Sequence, residues 1–197
     1  DFSINSIAFL FDKKCLFDPL NGLKDLELSL LRTYSEKNLL SDPLRILRCF
    51  RFVSELSFKI DLKLDTFIKK NRGKLYLVAK ERINYEIQKI VSGTNALEAV
   101  ILLKKFNIFG PDNLYKDSFF LDLQKINYEV LNQDEKDEFL PMFFVMQILD
   151  VVSLEKLKFS RAEILKTKLL RKWHFYLKKK NIAEFNELDR FALHQEL

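Results

Sequence analysis

Apolar residues recur every three or four positions through most of this chain, which is the spacing of amphipathic helices. Residues 2–11 differ, because polar and apolar positions alternate there as they do in a strand. A polar turn at residues 12–14 and an apolar return at residues 15–17 complete a predicted β-hairpin. A short helix is expected near residues 23–31. The later helices are predicted near residues 42–56, 62–71, 78–92, 95–106, 114–131, 136–150, 161–179 and 182–194.

The predicted fold is therefore mainly α, with a multi-helix portion after a short N-terminal β-hairpin. A two-stranded hairpin is too small to be stable alone, so we expect it to be the edge of a sheet whose other strands lie upstream of residue 1. The chain begins with Asp1 rather than Met, which suggests a piece of a longer protein. Only 4 Gly and 4 Pro in 197 residues oppose a turn-rich all-β fold.

Composition adds few constraints on function. Apolar residues make up 48% of the chain and include 19 Phe, enough for a real core and compatible with a dimer, although the oligomeric state stays open. Cys15 and Cys49 lack metal or redox spacing, so we expect reduced thiols and a cytoplasmic location. No apolar run reaches the length of a membrane span, and no membrane partner is expected.

The net charge of +5 is concentrated towards the C-terminus. In the predicted helix 161–179 the expected buried stripe consists of Leu165, Leu169, Trp173 and Tyr176. Another face gathers Arg161, Lys168, Arg171 and Lys172. Such a face suits the phosphate backbone of RNA, which is recognised by charge. A solvated basic face in a lysine-rich protein is an equally good interpretation.

The most specific chemistry lies at residues 42–51. Asp42 is a good helix N-cap, and Pro43 suits the first helical position. Arg45 and Arg48 follow at intervals of three, and residues three apart lie above one another on a helix surface. One helix end is therefore expected to present a carboxylate and two guanidinium groups in a short column.

This column has two interpretations. Cytosine and adenine both offer an amino donor beside a ring-nitrogen acceptor, so an ionised Asp42 and Arg45 complement either base. With G or U in place of C or A, each buried polar group left without a hydrogen-bond partner would cost on the order of 1–3 kcal/mol of binding free energy. Arg48 would contact a further acceptor or a phosphate. In the simpler interpretation Asp42 only caps the helix and the arginines pair with nearby acids or face water; spacing alone favours this one.

Four segments resemble a known family in the same chain order. Residues 1–8 (Asp-Phe-Ser-Ile-Asn-Ser-Ile-Ala) resemble the end of the Arg-Arg-Asp-Phe-Thr-Ile-Asn-Ala motif of class II tRNA nucleotidyltransferases, the CCA-adding enzymes and related bacterial poly(A) polymerases. Residues 17–26 resemble the family's Asp-Pro-x-x-Gly-x-x-Asp-Leu segment. Residues 42–52 resemble its Glu-Asp-x-x-Arg motif, and residues 81–89, which begin Glu-Arg-Ile, resemble its next motif.

The resemblance implies that Asp42 and Arg45 pair with incoming CTP or ATP, with Arg48 assisting and Asp1 closing the nucleotide pocket. Glu81 and Arg82 would hold the neck helices and the pocket turn together. Residues 1–31 would be the end of a catalytic head with its leftover hairpin, residues 32–93 the nucleotide-selecting neck, and residues 94–197 a helical body that binds the tRNA acceptor arm.

Two departures from the family pattern and the absence of a metal site qualify this picture. Both arginines of the family's Arg-Arg-Asp motif would lie before residue 1 and are absent from this sequence. Ser41 stands where the family usually has Glu, so a salt bridge that positions the pocket arginines is expected to be missing. No Asp-x-Asp on a plausible strand is present, and His174 and His194 lie far apart. The carboxylates that hold catalytic Mg²⁺ in such phosphoryl transfers are therefore expected in a missing head, and the isolated chain is expected to be inactive.

Alternatives remain at this stage. Four products are open for the parent protein, which would add CC, a single A, the whole CCA end or a poly(A) tail. The chain could also be a naturally truncated, non-catalytic RNA-binding module of the same descent. A purely structural helical protein is the third interpretation.

Overall fold

The computed structural model describes residues 1–109 and 133–179, and within these ranges the chain is mainly helical, as predicted. None of its helices there is long and apolar enough to cross a membrane. The helices, in chain order, are α1 (Gly22–Glu27), α2 (Glu36–Ser41), α3 (Arg45–Leu56), α4 (Leu62–Asn71), α5 (Lys80–Val91), α6 (Ala96–Lys105), α7 (Gln133–Ile148), α8 (Val151–Lys156) and α9 (Arg161–Lys179). Short 3-10 helices cover Ser3–Ser6 and Arg72–Leu77.

The predicted hairpin is confirmed as β1 (Ala8–Leu10) and β2 (Cys15–Phe17), an antiparallel pair in which Phe9 lies opposite Leu16. The first half of the expected strand is instead the 3-10 helix Ser3–Ser6, whose Ser6 hydroxyl donates to the Ser3 carbonyl. Local side-chain bonds of this kind compete with strand formation.

A second pair of strands was not predicted. β3 (Leu30–Leu31) pairs in parallel with β4 (Lys59–Ile60). The helix expected over residues 23–31 therefore ends early, at Glu27, and Ser29 adopts a positive φ of 50° on the way to β3. The sequence pattern does not predict this pair, because a strand of two residues shows no periodicity and its partner strand lies far along the chain.

Most of the other helices match their predictions. The bounds of α4 coincide with the expected range, and α3, α5 and α6 differ by up to three residues. α9 begins at Arg161 as expected and is described as far as Lys179. α7 is described from Gln133 onwards and contains Pro141 within it, and α2 and α8 were not predicted as separate helices. The helices predicted near 114–131 and 182–194 lie outside the described residues.

Helix α3 is the centre of the core, with α5 and α6 packed against it. Leu47, Phe50 and Cys49 on α3 are fully buried. Burial of side chains of this size stabilises a fold by about 1.5–3 kcal/mol each for Leu and Phe, so this helix anchors the molecule. The two cysteines have no disulfide: Cys15 is exposed and Cys49 is buried.

The turn between α5 and α6 lies very close to α3. The Ser54 hydroxyl donates to the Ile90 carbonyl at 2.6 Å. A Cβ atom at Gly93 would lie 2.1 Å from the Ser54 oxygen, so only glycine fits this approach.

Helix α9 is rotated relative to the prediction. Trp173 is buried as expected and Leu169 is half-buried, but Leu165 is 58% exposed. Ile164 and Leu170 pack on the core instead. The inward face is thus displaced by about one residue, or about 100° of helix rotation. The Tyr176 side chain lies outside the described residues.

Candidate nucleotide and RNA site

The predicted N-cap role of Asp42 is not confirmed, because the N-cap of helix α3 is Leu44 and Asp42 lies two residues before it. Asp42 Oδ1 still accepts a hydrogen bond from the Leu44 backbone N–H at 3.3 Å. The first turn is closed by short-range bonds, with the Arg45 N–H donating to the Asp42 carbonyl and the Ile46 N–H to the Pro43 carbonyl, both at 3.0 Å. The regular α-helix therefore begins at Arg45, three residues after the predicted start.

Arg45 and Arg48 share one partner, the Asp1 carboxylate. Arg45 Nε lies 2.7 Å from Asp1 Oδ1, and Arg48 Nη1 lies 2.6 Å from Asp1 Oδ2. Arg45 Nη1 also donates to the Asn38 carbonyl at 2.7 Å. The two arginines thus lie one turn apart on α3, and two other segments of the chain, at Asp1 and Asn38, contact them.

The carboxylate of Asp42 is held by a residue from α5. Arg82 Nη2 lies 2.7 Å from Asp42 Oδ2. Burial acts to raise the pKa of Asp42, but the hydrogen bonds from Arg82 and the Leu44 N–H outweigh it, and the pKa lies below its usual range. Asp42 is therefore ionised at neutral pH and can only accept hydrogen bonds.

Ser41 makes a local bond only. Its hydroxyl donates to the Asn38 carbonyl at 2.7 Å. The salt bridge expected to be missing at Ser41 has a counterpart at Asp1, whose carboxylate contacts both Arg45 and Arg48. The pocket arginines are thus positioned without a glutamate at residue 41.

Helix α5 uses three faces. The inward face packs Ile83, Glu86, Ile87 and Ile90 into the core. A second face contacts the α8–α9 region: Asn84 Nδ2 donates to the Lys158 carbonyl at 3.1 Å, Gln88 Nε2 to Glu163 Oε1 at 2.5 Å, and Glu81 pairs with Lys158. The third face carries Arg82, Tyr85 and Lys89.

Glu86 is a buried acid in the motif-like segment 81–89, and the sequence analysis predicted no role for it. Its side chain is 6% exposed, and Oε1 lies 3.2 Å from Arg51 Nη1. Burial raises the pKa of Glu86, although Arg51 and Arg48 favour its ionised form. Burial also lowers the pKa of Arg48, helped by the neighbouring cation of Arg51. An acidic residue between isoleucines on the inward face of a helix was the available signal.

A cleft of about 380 Å³ lies beside these residues, between α3 and α5. Its polar and aromatic lining is provided by Arg48, Glu81, Arg82, Tyr85 and Glu86. The sequence analysis did not select Tyr85, because a lone tyrosine on a helix carries no spacing signal.

The basic residues predicted on α9 fall into two groups. Arg161, Lys168 and Lys172 are exposed. Arg171 instead donates from Nη2 to the Met146 carbonyl at 3.2 Å and to the Leu149 carbonyl. It therefore satisfies carbonyls at the C-terminal end of α7, and burial lowers the pKa of Arg171 to about 10.

Comparison with known proteins finds similarity over parts of this chain. The family described as "Probable RNA and SrmB- binding site of polymerase A" matches residues 57–111. A CC-adding tRNA nucleotidyltransferase of Shouchella clausii is 36% identical over 106 residues, which is 53% of this chain and 28% of that enzyme. A CCA-adding enzyme of Ligilactobacillus salivarius is 29% identical over 172 residues, or 84% of this chain and 42% of that enzyme.

The chain is similar to CCA-adding and CC-adding tRNA nucleotidyltransferases over part of their length. Its fold is similar as well: a solved structure of the Thermotoga maritima CCA-adding enzyme complexed with tRNA superposes with a TM-score of 0.70 at 23% identity, over 91% of this chain and 48% of that one. The chain spans less than half of the length of these relatives.

Proposed function

We propose that this chain is the nucleotide-selecting and RNA-binding part of a tRNA nucleotidyltransferase that adds C, A or both to tRNA 3′ ends from CTP and ATP. The observation that carries the proposal is the start of α3, where an ionised Asp42 and the guanidinium of Arg45 lie three residues apart and are each held by other segments. Pre-positioned donors and acceptors discriminate between bases without reorganising when the base arrives.

The two side chains keep hydrogen-bonding capacity for a base. A carboxylate has about four lone-pair sites, and Asp42 uses two of them, for Leu44 and Arg82. Arg45 contacts described residues through Nε and Nη1, which leaves Nη2 as a donor. Asp42 would accept from the amino group of C or A, and Arg45 would donate to the ring nitrogen. G and U would place a carbonyl against the carboxylate instead.

Supporting roles follow from the contacts around this pair. Asp1 would orient Arg45 and Arg48, and Arg48 would contact the nucleotide from one turn further along α3. Arg82 would hold Asp42, while Glu81 would join the neck to the body through Lys158. These assignments give the predicted neck, residues 32–93, the task of choosing the nucleotide.

The bond-forming chemistry would come from a catalytic head that carries the metal carboxylates. In two-metal phosphoryl transfer, Mg²⁺ activates the attacking hydroxyl and neutralises the triphosphate. Within residues 1–109 and 133–179 no group of three or more His, Cys, Asp or Glu side chains could hold a metal ion. This chain's share would be to bind and orient the base, and the isolated chain would be inactive.

The RNA contact would be made by the body, residues 94–197. Arg161, Lys168 and Lys172 on α9 present charge suited to the phosphates of the tRNA acceptor arm. Arg171 is left out of this face because its guanidinium binds carbonyls of α7. A tRNA substrate would place the protein in the cytoplasm.

The proposal is tested by measuring which nucleotides the protein incorporates. In the protein expressed from its full coding sequence, Asp42→Ala and Arg45→Ala should lower incorporation of C and A relative to G and U, with a smaller change in tRNA affinity. Each lost charged hydrogen bond would reduce discrimination by roughly 10- to 100-fold. Asp65→Ala, which removes the surface pair with Lys69, is the matched control. Unchanged fidelity in both pocket variants would refute the proposal.

A bacterial poly(A) polymerase is the second candidate, favoured by the family description that matches residues 57–111. The same assay separates the two. A tRNA nucleotidyltransferase stops after a defined CC, A or CCA addition, whereas a poly(A) polymerase extends RNA with many A residues. RNA binding with no addition of any nucleotide would support the non-catalytic module instead.

A further inference from the structure

The third face of α5 is a continuous stripe of Arg82, Tyr85 and Lys89, spaced so that all three lie on one side of the helix. The Tyr85 side chain is 59% exposed. Lys89 Nζ lies 5.0 Å from the centroid of the Tyr85 ring. An exposed aromatic ring flanked by two cations combines the two features by which proteins bind single-stranded nucleic acid, a stacking surface and phosphate-binding charge.

The stripe also borders the cleft between α3 and α5. Tyr85 and Arg82 line it from α5, and Arg48 lines it from α3. At about 380 Å³ the cleft is large enough for one nucleobase. Arg82 connects the cleft to the base-reading pair, since its guanidinium lies 2.7 Å from the Asp42 carboxylate.

The chemistry of the cleft selects among ligands. Tyr85 supplies an aromatic surface, and Arg82 and Arg48 supply guanidinium groups, each with five donors. Glu81 and Glu86 also line the cleft, and their carboxylates are paired with Lys158 and Arg51. Arg82 uses one nitrogen for Asp42, so other N–H groups remain to bind an oxygen anion. A planar base attached to a phosphate satisfies both features.

We propose that Tyr85 stacks an unpaired nucleobase in this cleft, with Arg82 and Lys89 binding the phosphate attached to it. The cleft is then a second base subsite beside Asp42 and Arg45. This inference rests on the proposed function, because it takes the ligand to be a nucleotide. The base belongs either to the single-stranded 3′ end of the RNA or to a free nucleoside triphosphate, and the two sources share the same chemistry.

The test uses 2-aminopurine, whose fluorescence is quenched when the base stacks. The protein expressed from its full coding sequence is titrated with a tRNA minihelix ending in 2-aminopurine and, separately, with 2-aminopurine riboside triphosphate. Tyr85→Leu should relieve the quenching and weaken binding roughly 5- to 150-fold, the range for loss of one base–aromatic stack. Tyr85→Phe keeps the ring and should behave like the unmodified protein.

Tyr76→Leu is the matched control, because Tyr76 is 73% exposed and is not among the residues that line this cleft. If Tyr85→Leu relieves the quenching of the minihelix alone, the subsite binds the RNA end. If it relieves the quenching of the triphosphate alone, the subsite binds the free nucleotide. The proposal is overturned if Tyr85→Leu matches the unmodified protein with both ligands, if Tyr85→Phe is equally damaging, or if Tyr76→Leu has the same effect.

Failure of the proposed function would be visible separately. If Asp42→Ala leaves nucleotide choice unchanged while Tyr85→Leu still loses quenching, the stacking site stands and base selection at α3 does not. The opposite pattern keeps base selection and removes the stacking site. Thermal unfolding of each variant checks that it is folded, which is expected because Tyr85 and Tyr76 are exposed.

Discussion

The carboxylate of Asp42 shows which contacts a sequence can and cannot predict at the scale of single residues. Its position just before α3 and its register with Arg45 follow from local spacing, although the N-cap of α3 is Leu44. Its partner Arg82 lies 40 residues further along the chain, and no periodicity links the two. Tyr85 was missed for the same reason, because its position beside Arg48 exists only once α3 and α5 are packed.

The Asp42–Arg82 pair predicts a specific pH dependence of stability. Because folding lowers the pKa of Asp42 below its ordinary value of 3.8, the ionised group stabilises the fold at neutral pH, and this contribution is lost as the pH falls through the folded-state value. Arg82 is 53% exposed, so Asp42→Asn should cost only about 0.2–1 kcal/mol at pH 7. Urea unfolding at several pH values measures it; a cost that persists undiminished at pH 2 would contradict the assignment.

Gly93 allows a second prediction at this scale. Gly93→Ala should destabilise the protein by about 1–3 kcal/mol, because the new Cβ would lie 2.1 Å from the Ser54 oxygen and 2.9 Å from the Ser54 backbone carbon. Gly73→Ala is the control, since nothing lies within 4 Å of a Cβ there. The denaturant midpoints of unfolding of the two variants are compared, and that of Gly93→Ala is expected to be lower. Equal midpoints would show that the α3 approach tolerates a side chain.

At the scale of elements, helix existence was predictable and helix orientation was not. α9 begins at the predicted residue, Arg161, because the apolar spacing starts there. Its inward face depends on α7 and α8, which pack against it, and that face takes Ile164 and Leu170 rather than Leu165. The pair β3–β4 shows the same limit, since each strand is specified by its partner.

Variants of Arg171 and Lys168 should separate the stabilising role of α9 from its proposed RNA-binding role. Arg171→Met removes the bonds to the Met146 and Leu149 carbonyls at the end of α7 and should cost about 1–3 kcal/mol of stability. Lys168→Met should leave stability within about 0.5 kcal/mol, because Lys168 is exposed.

RNA binding gives the complementary measurement. Lys168→Met should weaken tRNA binding and reduce the slope of log affinity against log salt by about one. If Arg171→Met lowered tRNA affinity as much as Lys168→Met while leaving the unfolding midpoint unchanged, the division of roles on α9 would be wrong.

At the scale of the whole molecule, the apolar residues of the hairpin stand apart from the core. Phe9 and Leu16 form a cross-strand pair, yet they are 49% and 56% exposed. Phe11 packs edge-on against Phe9 and is 84% exposed. A contiguous exposed apolar surface on a two-stranded sheet is the surface that the rest of a catalytic head would cover. The sequence predicts the same cover, because a two-stranded hairpin is too small to be stable alone, and this stays a prediction.

Leu16→Ser therefore should destabilise the protein expressed from its full coding sequence by about 1–3 kcal/mol, because a covered leucine loses its apolar contacts. Leu62→Ser on α4 is the matched control: Leu62 is 86% exposed and the change should stay within about 0.5 kcal/mol. Thermal unfolding compares the two variants, and hydrogen exchange of residues 8–17 reports whether the strands are protected. If Leu16→Ser proved as harmless as Leu62→Ser and residues 8–17 exchanged rapidly, the hairpin would face solvent. The proposal that a head packs on it would then fail, whatever the nucleotide choice at Asp42.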